Sequence, residues 1–265
     1  AVRGLLAHTR AEESAADQAA FRFLEGTGHT AQGLADLLGR LADQELVSSR
    51  YQDPYVRTHP LSRDRLATAI AFVERTPVGA SASPAERARF GRMQAKLAGF
   101  SDPPQKTLDS YVGDDADSRY ARAIAHYRRG DLSQTLPLID GLIAADPKDP
   151  FLHELKGQML FENGRLQAAV EAYQAAIALR PKDPVLLAPA AAAMVEDGRD
   201  IGRAIELLQH VTLKEPRNPG AWRQLGIAFG KQGDIGQASV ALAESAMLNG
   251  QKDDAILQAR RAQGL

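Results

Sequence analysis

From Ala11 onward the apolar positions Ala15, Ala19, Phe23 and Leu24 recur at helical spacing, which predicts a first helix. The stretch "GTGHT" from Gly26 breaks it, and a second helix is predicted from about Ala31 to Leu46. The run "SSRYQDPYVRTHPLSRDRL" begins as irregular chain, because Pro54 and Pro60 each force an extended conformation on the residue before them. Ser62 then reads as an N-cap, with Asp64 in the first turn and Leu61 and Leu66 placed as a hydrophobic staple. That helix ends at "RTPVGASASPAER", a small-residue linker, and another is predicted from about Pro84 to Leu97. "SDPPQ" at 101–105 reads as a second linker.

Beyond that point the pattern becomes periodic. Gly130, Gly164 and Gly198 are spaced by 34 residues, as are Pro147 and Pro181, and each of these prolines follows a glycine by 17. The register then slips by one, since Gly198 to Gly233 and Pro181 to Pro216 are both 35. One inserted residue between Gly198 and Ala204 accounts for both, because Ala204 to Pro216 keeps the spacing of Ala169 to Pro181. Such a period predicts two helices per unit, with glycine in the turn and proline just past the second helix. A lone unit cannot bury its apolar face, so neighbours stack into a solenoid.

The repeats resemble the tetratricopeptide family. Trp222, Leu225, Gly226, Phe229, Gly233 and Ala238 fall on that family's pattern, as do Gly157, Gly164, Ala169, Tyr173, Ala176 and Pro181. The units from about 116 and 184 are weaker, with Thr135 and Leu142 where small residues are expected and Pro189 inside a first helix. "QKDDAILQARRAQ" after Gly250 reads as a capping helix. The resemblance implies a concave, peptide-binding face lined by first helices, with Tyr120, Ile124, Tyr127, Glu154, Gln158, Phe161, Arg223 and Ile227 near the groove. The competing reading makes about half of these ordinary packing or solvent positions. His126, His153 and His210 lack metal-ligand spacing and read as surface residues.

Charge and composition narrow the function. Lys plus Arg number 32 against 33 Asp plus Glu, a net charge of −1, which argues against a nucleic-acid surface. With no cysteine, disulfides, thiolate metal sites and a cysteine nucleophile are excluded. No apolar run approaches the roughly 20 residues that span a bilayer. The chain begins "AVRGLLAHTR", without methionine or signal peptide, which suggests a fragment or a processed product.

One local feature calls for chemistry. In "RAEESAADQAAF", Glu13 and Asp17 are four residues apart and stack on one helix face. Taken alone, they read as solvated acids near a helix start, favoured by the dipole. Yet "EESAADQ" resembles the E-x-x-A-D segment that follows the HExxH helix in a group of zinc metallopeptidases. "RTHPLSRDRL" resembles that group's T-H-P-x-S-x-x-R-[IL] segment, with 42 positions from Asp17 to His59. The group includes prenyl-protein endopeptidases, HtpX membrane proteases and periplasmic BepA-like proteases, the last of which continue into tetratricopeptide repeats.

The resemblance implies an all-α protein: a tetratricopeptide-repeat solenoid preceded by helices from the C-terminal part of a zincin-type metalloprotease domain. Residues 1–77 are then the remnant of that domain, 78–113 a linker with one helix, and 114–265 about four repeats plus the cap. It makes Glu13 the third zinc ligand and Asp17 the acceptor that orients a zinc-bound histidine. His59 is expected to approach the metal and restrict its open position. The chain departs from the family in one respect: among histidines 8, 29, 59, 126, 153 and 210, no two are four apart, so HExxH is missing. The family's order places it before Ala1. These residues alone are therefore expected to bind no zinc tightly and to be inactive, since both the bound water and its glutamate base are lacking. Two functions follow: the C-terminal portion of a periplasmic zinc metalloprotease whose repeats hold a polypeptide substrate or dock on outer-membrane assembly machinery, or a non-catalytic adaptor or chaperone.

Overall fold

A computed structural model of the chain describes residues 2–45, 63–76 and 82–264. Every regular element among them is an α-helix: α1 (Val2–Gly26), α2 (Gln32–Glu45), α3 (Arg63–Arg75), α4 (Pro84–Ser101), α5 (Pro104–Ser110), α6 (Ala116–Arg128), α7 (Leu132–Ala145), α8 (Pro150–Glu162), α9 (Leu166–Leu179), α10 (Pro184–Asp197), α11 (Ile201–Lys214), α12 (Pro219–Gln232), α13 (Ile235–Leu248) and α14 (Lys252–Gln263). The chain divides into two compact units, Ala1–Phe90 and Gly91–Leu265, with the division inside α4.

The first unit packs α1, α2 and α3 around Phe21, Ala31, Ala35, Leu38 and Ala69. Phe21 of α1 and Phe72 of α3 stack with ring centroids 4.6 Å apart. The buried stripe of α1 is not the one its small residues suggest. Ala15 is exposed and Phe23 is 72% exposed, whereas Asp17 and Phe21 are buried and Glu13 and Leu24 half-buried. Positions 13, 17, 21 and 24 lie about half a turn round from 15, 19 and 23, so the helix faces its core with the acids on the inner side. Alanine burial adds little in either direction; a stacked phenylalanine decides which face wins. The N-terminus of α4 carries a capping box: the Ser83 amide donates to Glu86 at 2.7 Å, and the Glu86 amide donates to the Ser83 hydroxyl at 3.2 Å.

The second unit is a solenoid of four helix pairs, α6–α7, α8–α9, α10–α11 and α12–α13, closed by α14. Gly130, Gly164, Gly198 and Gly233 all adopt positive φ, between 71° and 89°, in the turn inside a pair. Only glycine takes that conformation without a Cβ penalty, which is the cause of the sequence period. At Gly130 the following amide, Asp131 N–H, donates to His126 at 3.0 Å, and Asp234 N–H does the same to Phe229 after Gly233. The third turn is one residue longer. After Gly198 the N-cap is Asp200 rather than residue 199, and the extra Arg199 bonds back to Asp197 through two contacts of 2.7 Å. The inserted residue of the sequence period is therefore in this turn.

Pro150, Pro184 and Pro219 each open a first helix directly after a capping Asp149, Asp183 or Asn218. The weaker units form complete helices all the same. Thr135 is wholly buried, with its hydroxyl donating to the Asp131 carbonyl at 2.8 Å, so its polarity is met within its own helix. Pro189 lies in the second turn of α10 and forfeits only one intrahelical bond.

The solenoid core is continuous. Tyr120, Ile124, Ile139, Leu155 and Met159 fill the first stretch, Tyr173, Ala190 and Ala193 the middle, and Leu208, Val211, Leu225 and Phe229 the last. Helix α4 joins it through Ala95. At its C-terminal end the Arg128 guanidinium donates to the Gly99 carbonyl at 2.9 Å, meeting one of the orphan carbonyls a helix end leaves.

Candidate functional site

In the first unit the site is built from α1 and α3. Residues 13 and 17 share the inner stripe of α1, and residue 65 lies near the start of α3, two turns before Phe72. The Arg65 guanidinium meets Asp17 side-on, Nε to Oδ2 at 2.6 Å and Nη2 to Oδ1 at 2.9 Å, while Nη1 is 3.0 Å from Glu13 Oε2. All three side chains are largely withdrawn from water, with 12% of Arg65, 17% of Glu13 and 9% of Asp17 exposed. The acids are thus neither solvated nor at the start of their helix. A buried carboxylate needs a fixed cation or several donors, and one planar guanidinium supplies both here.

Arg65 is the arginine of the T-H-P-x-S-x-x-R segment, so the two motifs of the sequence meet through it. The sequence carried a signal for it, its fixed place in that segment, but nothing in it said that this arginine would clasp the pair. His59 lies outside the described residues. Among the described residues no group of three or more His, Asp or Glu could hold a metal ion. Glu13 and Asp17 nonetheless fit one corner of a zinc site. Glu13 offers a shielded carboxylate ligand, and each Asp17 oxygen, after accepting from Arg65, keeps a second lone pair for an imidazole N–H.

In the solenoid the expected groove residues separate by depth. Ile124 is wholly buried, and Tyr120 and Tyr127 are buried with it in the first core, so these three pack the repeats. Glu154, Gln158, Phe161 and Ile227 are half-buried and Arg223 is exposed. Gln158 Nε2 donates to Glu162 Oε1 at 2.9 Å, and the Tyr127 hydroxyl donates to the other Glu162 oxygen. Burial, then this carboxylate, push the Tyr127 phenol above its ordinary range, and burial does the same to Tyr173. Burial also raises the Glu154 carboxyl, opposed by the Lys96 charge. Glu162 and Arg92, which the sequence did not single out, contact residues of this set. Arg92 pairs with Asp149 and lies 4.9 Å over the Tyr120 ring.

His153 accounts for itself structurally. Its Nε2 is 3.1 Å from the Pro147 carbonyl oxygen, as Trp222 Nε1 is 3.0 Å from that of Pro216. The two residues occupy the same repeat position, 69 apart. His126 and His210 are half-buried rather than at the surface, and burial lowers the His126 pKa.

Comparison with known proteins agrees with both halves. Residues 1–72 match the model of Peptidase family M48, and residues 106–184 match that of the tetratricopeptide repeat. The chain therefore joins a segment similar to the M48 peptidases to a tetratricopeptide-repeat solenoid. As a whole it resembles the beta-barrel assembly-enhancing proteases: it is 26% identical to that of Yersinia pestis over 97% of its own length and 25% identical to that of Escherichia coli over 96%. The chain spans about half the length of these relatives, 54% and 53%. Among solved structures, the tetratricopeptide protein YrrB, described as having an unusual peptide-binding site, aligns with TM-score 0.53 at 14% identity, covering 64% of this chain and 90% of its own. A MamA structure aligns with TM-score 0.52 at 15% identity, covering 63% and 98%. At such identities these two establish the fold alone.

Proposed function

We propose that this chain is the C-terminal portion of a periplasmic zinc-dependent metalloprotease, in which Glu13 is a metal ligand, Asp17 orients a ligating histidine, and the solenoid binds a polypeptide. The observation that carries the reading is the clasp of Glu13 and Asp17 by Arg65, for it brings together the two segments that resemble those of zinc metallopeptidases, both within the span matched to the M48 model. Zinc bound there would supply the activated water of peptide hydrolysis. The part of this chain is to hold one carboxylate toward the ion, to keep a second against an imidazole, and to present substrate on the repeats. A groove lined by Glu154, Gln158, Phe161, Arg223 and Ile227 would offer carboxylate, amide, guanidinium and apolar groups, a mixture suited to an extended peptide. His59 is assigned beside the metal, where it restricts the open position. The relatives are named for enhancing beta-barrel assembly, and outer-membrane assembly machinery is the partner assigned to the repeats in this reading. No described helix is long and apolar enough to cross a membrane.

Zinc content of the full-length gene product tests the proposal. It should hold one zinc per chain, lost in Glu13→Gln while the helical content is kept. Zinc retained in that variant would remove Glu13 from the site. A second reading, an adaptor without catalysis, is favoured by the solenoid having a core of its own. A full-length product that binds peptide yet neither holds zinc nor cleaves would decide for it.

A further inference from the structure

We propose that Arg65 is a positioning residue for the metal corner, fixing Glu13 and Asp17 in one mutual orientation. The inference rests on the reading of Glu13 as a ligand and adds a residue to it. Within the clasp Arg65 makes two contacts to Asp17 and a contact to Glu13, and the three side chains lie on the inner faces of two helices. A glutamate on a helix has several rotamers, and its ligand oxygen moves by ångströms between them. A contact from Nη1 to Oε2 narrows that choice, and the side-on fork fixes the Asp17 plane at the same time. The helix that carries Arg65 is itself held in place, because Ala69 and Phe72, one and two turns further along α3, belong to the core of the first unit.

Geometry and charge make opposite predictions here. If Arg65 served only to balance two acids, a lysine would replace it, and removing the cation would strengthen the attraction of the acids for a metal. If the fork sets the orientation, lysine fails, since an ammonium is a point charge that cannot make both parallel contacts to Asp17 while also reaching Glu13.

The test measures zinc affinity of the full-length gene product by competition with a chromophoric chelator, for the wild type, Glu13→Gln, Arg65→Gln and Arg65→Lys, with a thermal melt of each. Both Arg65 variants are expected to keep a cooperative melt and to bind zinc about 10–100-fold more weakly, the loss typical of outer-shell partners. Wild-type or tighter zinc binding by Arg65→Lys, with zinc lost in Glu13→Gln, would overturn the positioning role and leave the ligand reading standing. Unchanged zinc binding in Glu13→Gln would instead sink the ligand reading and this proposal with it. Should Arg65→Gln not fold, Arg65→Lys decides alone. Failure of both to fold would make Arg65 a structural tie and overturn the proposal.

Discussion

Gly157 is placed where the Tyr173 ring crosses α8, and a Cβ there would meet the ring at 2.8 Å. The ring is 2% exposed and cannot step aside, so Gly157→Ala should cost about 1–3 kcal/mol through overpacking, somewhat offset by alanine's better helix propensity. Urea unfolding with an unchanged m-value would register this as a lower midpoint. At Gly226 a Cβ would meet the Leu242 Cγ at 2.7 Å and the Ala238 carbonyl oxygen at 3.1 Å, so the same substitution is expected to be destabilising there too. Glu154 offers a pH-dependent case. Burial raises its folded-state pKa above the unfolded value, so its contribution is fully present below the unfolded pKa and is lost as pH rises through the folded one. Glu154→Gln should therefore raise Tm by ~1–3 °C at pH 7, a gain that vanishes in melts near pH 4. A gain independent of pH would show that packing, not charge, is responsible. The clasp at residue 65 illustrates what one residue can hide. Glu13 and Asp17 were legible as a pair from their spacing, but the cation that shields them comes from 48 residues away, and spacing along a chain carries no information on contact across it.

The helices themselves were largely legible, because glycine and proline punctuate them for backbone reasons that do not depend on tertiary context. The glycine period marked every turn inside a pair, and the one-residue slip appeared as the longer turn at Arg199. Which face of α1 is inward was not legible, since alanine is nearly indifferent to burial and the deciding stack, Phe21 on Phe72, is a long-range contact. The depth of Ile124 escaped for a related reason: a first helix in a repeat serves groove and core with neighbouring positions, and α4 covers part of the first one. The third turn invites a direct experiment. Deleting Arg199 would place Asp200 directly after Gly198, the Gly-Asp arrangement of the first and fourth turns. The variant loses the ion pair between Arg199, 58% exposed, and Asp197, 12% exposed, a surface contact of small worth, so its urea midpoint should stay close to that of the wild type. A larger loss would mean that the extra residue sets the crossing of α10 and α11.

On the scale of the whole molecule, the solenoid draws its stability from neighbours, and residues 82–265 expressed alone should give a cooperative, helical transition. Circular dichroism without such a transition would show that the repeats depend on the first unit. The equivalence of His153 and Trp222 has an optical consequence. Trp222 is the single tryptophan, so intrinsic fluorescence reports on the fourth pair and is blind to the rest of the array. His153→Trp would put an indole in the second pair with the carbonyl of Pro147 ready to receive its N–H. Paired with a silent Trp222→Phe, that variant turns one emission band into a probe of either end, and the two melting curves would tell whether the solenoid unwinds from one terminus or opens all at once.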